Sequence, residues 1–187
     1  MIDPFKITNF KRTDEELEEF WLFCLCVAGK TAAIVAKLHN DFLTGTRYQG
    51  SPFTKVQKMA KNGVLLDNLK RARLGQYGKL VKSFTETVNA NLDLRKCTFK
   101  DLEEIHGVGP KTSRFFLLHS RPNQKIAVLD VHVLAYLKTK GYDVPKTTPD
   151  KKRYAEIEQM FLAEAKKQKL SIADFDLKIW SERATKL

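Results

Sequence analysis

The sequence predicts an all-α protein, and three observations carry that expectation. Apolar residues recur at helical rather than alternating spacing along most of the chain. Nine Gly and six Pro in 187 residues are too few to punctuate many short strands. Capping residues stand where the helical stretches begin.

Thr13 with Glu16 forms a capping-box pair, and Leu17, Phe20, Trp21, Cys24 and Ala28 follow at i, i+3, i+4, i+7 spacing, a helix that stops near Gly29. Residues 32–43 read as a second helix and 45–52 as a polar, turn-rich loop. Residues 54–62 and 64–72 are short helices broken at Gly63, and 76–90 is another amphipathic stretch. Thr98 with Asp101 opens a helix whose apolar face is Phe99, Leu102 and Ile105. Gly107 and Gly109 end it, and Pro110 suits the first turn of the next, which carries Phe115, Phe116 and Leu118. Residues 131–140, 150–169 and 171–185 complete the set. Residues 126–136 (IAVLDVHVLAY) are rich in β-branched side chains, but a single strand has nothing to pair with, so they read as loop running into helix.

The length fits one domain or two small lobes, large enough to form a core without disulfide or metal staples. Lys and Arg exceed Asp and Glu by 33 to 22, a net charge of +11, which favours a polyanionic partner and nucleic acid first. Twelve Phe and 43% hydrophobic residues exclude a disordered basic tail. Three cysteines (Cys24, Cys26, Cys97) are too few for a disulfide framework, a four-thiolate zinc site or a four-cysteine iron–sulfur cluster. No apolar run is long enough to span a bilayer, and the N-terminus lacks a signal-peptide layout, so the expectation is a cytoplasmic protein without a membrane partner. Residues 54–100 hold eleven Lys/Arg against three Asp/Glu, whereas residues 1–20 are net −3. A basic patch in the middle third is the footprint of a phosphate-backbone binder.

That patch leads into LEEIHGVGPKTSRFFLL (102–118): helix, Gly-x-Gly hairpin, helix. The glycines allow a tight turn and close approach to another backbone, and the second helix presents unpaired N–H groups and the positive end of its dipole to an anion. A DNA phosphate fits, with Gly107, Val108, Gly109 and Thr112 as the contacting positions. Lys111 follows the hairpin directly, and Asp130 lies nineteen positions later in LDVHV. A free lysine at pKa ~10.4 is only about 0.1% neutral near pH 7.4. A helix N-terminus and desolvation both disfavour the ammonium, so Lys111 is a candidate amine nucleophile for a sugar aldehyde carbon. Taken alone, Lys111 could equally be a phosphate-contacting lysine and Asp130 only the cap of the helix starting at Val131.

GVGPK followed by VLDVHV resembles the catalytic core of the endonuclease III-like, helix-hairpin-helix DNA glycosylases. By that resemblance Lys111 is the Schiff-base lysine and Asp130 the catalytic aspartate. FWLFCLCVAGKTA (20–32) is similar to the family's inner helix and loop at the base pocket. VPKTTPDKKRYAEIEQMF (144–161) and FDLKIWSERATKL (175–187) resemble the C-terminal part of the archaeal type-2 8-oxoguanine DNA glycosylases. The likeness implies a two-lobed helix-hairpin-helix fold without an iron–sulfur cluster. One lobe would be residues 32–118, and residues 1–31 plus 119–187 would close the base pocket. It implies a bifunctional glycosylase/AP lyase acting as a monomer on duplex DNA that contains a damaged base or an abasic site, associated with the nucleoid. No cofactor is required. K+ or Na+ could sit on the hairpin carbonyls of Glu103, Ile105 and Val108. Lys30, Arg73 and Gln76 are further candidate DNA contacts, and Cys24, Ala28, Trp180 and Leu187 candidate base-pocket residues. Two departures stand out. Gly29 and Lys30 occupy the loop where the endonuclease III branch carries Gln, and the chain ends in Leu187 with Lys186 one position earlier, where the type-2 enzymes end in Lys. Oxidised guanine is the leading base. The same chemistry on an oxidised pyrimidine, and a non-catalytic DNA-binding module, are the alternatives. Cys24 and Cys26, two apart on a helix, point to different faces and cannot share a metal. Gly29-Lys30-Thr31 ends like a P-loop but lacks its first Gly and preceding strand.

Overall fold

Helix starts follow their caps. Glu16 N–H donates to the Thr13 hydroxyl oxygen while the Glu16 carboxylate accepts Thr13 N–H, closing the box that opens α1 (Asp14–Val27). The Thr98–Asp101 pair does the same for α6 (Phe99–Glu103). Ser51 with Pro52 begins α3 (Pro52–Lys61), and Asp150 caps α9 (Lys151–Gln168). The remaining helices are α2 (Ala32–Thr44), α4 (Leu65–Arg71), α5 (Tyr77–Asn89), α7 (Pro110–Ser120), α8 (Val131–Thr139) and α10 (Ile172–Ala184). The structure is a computed structural model that describes residues 1–184, and among these no strand occurs. Residues 126–130 run without helix into α8. No helix among the described residues is long and apolar enough to cross a membrane.

Two apolar cores form. The larger takes side chains from α1 through α7, the smaller takes them from Ala127, Leu129 and α8, α9 and α10, and Val128 joins Leu118 and Ala173 in a small separate cluster. Helix α1, grouped by sequence with the second lobe, lies at the centre of the larger core. Seven consecutive residues, Phe20 to Cys26, are buried, so the helix is covered on all sides rather than along one stripe. Its Trp21 indole N–H donates to the Thr87 hydroxyl at 3.1 Å, satisfying the one polar atom of a fully buried side chain.

The first twelve residues form a strap that no local pattern signals, with a short 3-10 turn at Pro4–Lys6. Arg12 holds it. This buried guanidinium lies over the Phe20 ring and donates to the carbonyls of Ile7, Asn9 and His119.

Arg114 of α7 ties the hairpin to the second core. It donates to Glu103 at 3.1 Å and to Glu158 of α9 at 3.2 Å, and it lies between the rings of Phe99 and Tyr154, 4.4 and 4.5 Å from their centroids. All three charged side chains are only 11–13% exposed. Removing the cation would leave two buried carboxylates without it. Arg114→Met is therefore expected to cost about 3–5 kcal/mol of stability, read as a lowered urea midpoint.

Candidate active site

A cavity of about 700 Å³ opens between the two cores. Its walls come from the end of α1 and the loop after it, the first turns of α7 and α8, the middle of α10, and Pro4 and Ile7 of the strap. The start of α7 depends on the hairpin before it. Gly107 has φ +73, and a Cβ there would meet the Lys79 side chain at 2.6 Å. Gly109 has an ordinary extended backbone (φ −112) with open space where a Cβ would point, so its role is access to the helix end rather than conformational freedom. No side chain caps α7, and Pro110 occupies its first position. Lys111 follows and lines the cavity with Thr112 and Phe115.

Asp130 reaches the same cavity from the start of α8. Its Oδ1 accepts the backbone N–H of His132 and of Val133, both at 2.9 Å. Its Oδ2 makes no hydrogen bond among the described residues. The side chain therefore acts as the expected cap and still lines the cavity with a spare oxygen. Lys111 and Asp130, nineteen positions apart, thus meet in one space.

A third ionisable wall escaped the sequence reading. Asp176 of α10 is 6% exposed and lines the cavity. Its Oδ2 lies 3.1 Å from His119 Nε2, and His119 Nδ1 lies 2.8 Å from the Thr8 hydroxyl. Burial pushes the Asp176 carboxyl above the usual carboxylate range. The His119 hydrogen bond opposes this; Asp130 adds to it and Lys111 reduces it. The available signal was its spacing: Asp176 stands one helical turn before Trp180, which lines the same cavity. Trp180 packs against Phe5 of the strap at 5.6 Å between ring centroids.

The other expected residues divide. Cys24 and Ala28 line the cavity, whereas Cys26 is fully buried and does not. Burial holds both thiols in the protonated form, Cys24 well above the ordinary thiol value and Cys26 at about 12, so neither is a nucleophile. Lys30 lines the cavity, and its ammonium donates to the Leu74 carbonyl. Gln76 donates to the Ala28 carbonyl at 3.4 Å. These two bonds fasten the 28–30 loop to a loop in which Arg73, Gly75 and Gln76 all have positive φ. Val108 is buried in the larger core and its amide already donates to the Ile105 carbonyl at 3.0 Å, so it offers a phosphate neither side chain nor free N–H. The Glu103 side chain is committed to Arg114 and Ser113. His132, two positions after Asp130, also lines the cavity. Leu187 lies outside the described residues. Among those residues no group of three or more His, Cys, Asp or Glu side chains is placed to hold a metal.

A family model described as 8-oxoguanine DNA glycosylase matches residues 1–170. A curated 8-oxoguanine DNA glycosylase/AP lyase from Methanocaldococcus jannaschii is 25% identical over 191 residues, covering 97% of this chain and 89% of that protein. The crystal structure of the M. jannaschii 8-oxoguanine glycosylase/lyase in complex with a 15mer DNA containing 8-oxoguanine aligns with a TM-score of 0.71 at 21% identity, over 96% of this chain and 86% of that one. A second crystal structure of the 8-oxoguanine DNA glycosylase from that organism aligns at 0.66 and 22% identity, over 95% and 83%. The two structures establish the helix-hairpin-helix glycosylase fold.

The cap geometry separates two roles of Asp130. Asp130→Asn keeps an oxygen for the two amides and should leave the urea midpoint nearly unchanged, while Asp130→Ala should lose about 1 kcal/mol.

Proposed function

The chain belongs to the 8-oxoguanine DNA glycosylase family, and from that footing we propose that it is a bifunctional glycosylase/AP lyase that excises 8-oxoguanine through a Schiff base on Lys111. The observation that carries this reading is the meeting of Lys111 and Asp130 in one cavity large enough for a flipped nucleobase. A base in the stack is out of reach, so the damaged nucleotide is extruded, at a cost of a few kcal/mol that backbone contacts and the pocket offset. The hairpin and the open N-terminus of α7 hold the phosphates. The neutral Lys111 amine then forms a bond to C1′ as the C1′–N9 bond breaks, and the electron pair leaves with the base, which takes up a proton. The spare oxygen of Asp130 faces the positive charge that develops on the sugar and can accept the proton lost from the lysine nitrogen. The C1′–O4′ bond of that aminal then breaks, O4′ takes up the proton held by Asp130, the sugar ring opens, and the resulting iminium acidifies C2′. Loss of the C2′ proton expels the 3′ phosphate by breaking the C3′–O bond, and the strand is nicked 3′ to the site.

The substrate is duplex DNA met in the cytoplasm, at the nucleoid, and the enzyme works as a monomer. A weakly held K+ or Na+ fits the hairpin better than a divalent ion does: the candidate donors are neutral carbonyls of Glu103, Ile105 and Val108, and that of Ile105 already accepts the Val108 amide.

Borohydride trapping tests the reading on duplexes carrying 8-oxoguanine, an oxidised pyrimidine or an abasic site. A covalent complex is expected with 8-oxoguanine and with the abasic site, and it should vanish in Lys111→Ala. Trapping with the pyrimidine but not with 8-oxoguanine would keep the lysine chemistry and replace the base. Tight binding to all three without trapping would leave a DNA-binding module.

A further inference from the structure

The basic stretch at 54–100 belongs to the larger core, on one side of the cavity. The smaller core carries a basic surface of its own beside the hairpin. It is the loop after α8 with the first turn of α9, VPKTTPDKK (144–152), three lysines against one aspartate. Lys146, Lys151 and Lys152 are all exposed. The Thr148 hydroxyl donates to the Leu129 carbonyl at 3.4 Å, one residue before Asp130. Lys151 Nζ lies 3.7 Å from a Glu103 carboxylate oxygen, where α6 leads into the hairpin. The loop therefore borders both the segment that carries the aspartate and the turn that carries Lys111.

Two features separate it from an ordinary solvated surface. Its carboxylates are occupied within the fold while its lysines are not. Asp150 accepts Arg153 N–H at 2.9 Å as the cap of α9, and Asp143 lies 3.5 Å from the Arg153 guanidinium. Lys146 and Lys152 make no ion pair among the described residues. The second feature is placement. Lys151, Lys152 and Arg153 fill the first three positions of α9, and that turn holds no acidic residue. The positive end of a helix dipole disfavours cations, and Asp or Glu is the usual occupant there. Arg153 is offset by Asp143 and Glu156, but Lys152 is not offset. A local rule broken without local compensation marks residues used for something other than folding. Val144 is buried in the smaller core, and Pro145 and Pro149 restrict the backbone, so the lysines are held in place rather than carried on a free chain.

We propose that residues 146–152 form a second phosphate-binding surface, which holds the arm of the duplex lying over the smaller core, with Lys146 and Lys152 as its principal contacts. This rests on the duplex-DNA reading above and extends it. The cavity opens between the two cores, so a duplex that delivers a base into it passes over the larger core on one side and the smaller on the other. Contacts to one arm alone leave the other free to swing. Contacts to both hold the bend that unstacks the damaged nucleotide.

The test measures binding to duplexes carrying a tetrahydrofuran abasic analogue, by fluorescence anisotropy over a KCl series. It compares the wild type, Lys146→Gln/Lys152→Gln and the charge-matched control Lys138→Gln/Lys166→Gln. The control lysines stand in the last turns of α8 and α9. That is about 12 and 20 Å along their helices from the first turns, beyond the ~10 Å Debye length at 0.1 M salt. The slope of log K against log [KCl] should become shallower by about 1.8 in the loop variant, about 0.9 for each phosphate released, and binding at 0.1 M KCl should weaken roughly tenfold to hundredfold. The control should keep nearly the wild-type slope. On duplexes with one long and one short arm, the loss should appear with the long arm on one side of the lesion and disappear with it on the other. The urea midpoint of the loop variant should hold or rise, because a cation leaves the positive end of α9. Its β-elimination rate at saturating protein should match the wild type. A slope no shallower than the control's would overturn the proposal, as would equal losses on the two asymmetric duplexes. A lowered urea midpoint would assign the lysines to the fold, and a lowered rate at saturation would assign them to the chemistry; either overturns it. A wild type that binds the abasic duplex without salt dependence would instead overturn the duplex-DNA reading itself.

Discussion

The buried Arg114 guanidinium is the constraint on which the site depends. Lys111 and Asp130 sit on separate helices and belong to different cores, so their spacing has to be enforced. Arg114 lies one turn along α7 from Lys111 and bridges Glu103 of the hairpin to Glu158 of α9. The Glu158 oxygen that meets Arg114 also accepts the Ala127 amide at 2.8 Å. Tyr154, whose ring packs on the guanidinium, donates its hydroxyl to the Ala127 carbonyl at 2.7 Å and accepts the Leu129 amide at 3.1 Å. Residues 127–129 lead directly into Asp130. One cation thus connects the turn that carries the lysine to the segment that carries the aspartate, through groups too buried for water to compete. Such a network adds less to stability than its contact list suggests, because desolvating three charges offsets much of the attraction. What it supplies here is registration of two helix ends.

Those helix ends are used in opposite ways. At α7 the cap is a glycine with no side chain, so the helix N-terminus stays open to an anion while Lys111 stands one residue inside it. At α8 the cap is Asp130 itself, whose Oδ1 satisfies two amides and whose other oxygen is left for the cavity. The carboxylate is oriented by the helix it starts. Cys24, in the wall between them, contributes shape rather than reactivity, because burial keeps its thiol protonated.

Local physics was legible in the sequence and long-range physics was not. Both capping boxes, Pro110 in the first turn of α7, the Asp130 cap and the loop at 126–130 were all readable, because each depends on residues within a few positions of one another. The hairpin, Lys111 and Asp130 were readable as a motif. The all-round burial of α1 was not, since its apolar residues also fit a single stripe until α2, α3, α5 and α7 are known to surround it. The roles of Arg114 and Glu158 rest on a contact across 44 positions, and that of His119 on contacts to Thr8 and Asp176 across 111 and 57. No spacing rule connects such pairs. Of the two reasons for the hairpin glycines, a tight turn and close approach, only the second fits Gly109: its backbone is ordinary, and the space above it is open.

The strap gives the second core a reason to meet the first at the cavity. A short, Phe-bearing N-terminus looks dispensable beside the basic middle third, yet Pro4 and Ile7 line the cavity, Phe5 packs on Trp180 and Thr8 reaches His119. Arg12 fastens this segment by donating to three carbonyls, one of them from His119. The strap therefore touches α10 on its exposed side through Phe5 and on its buried side through the His119–Asp176 pair. Any shift of the strap must move both an aromatic side chain and a carboxylate of the cavity wall. A pocket that must keep its shape when occupied needs its walls closed and stiff, so that binding free energy is not lost in deforming it. Tying the first dozen residues to the last helix meets that need.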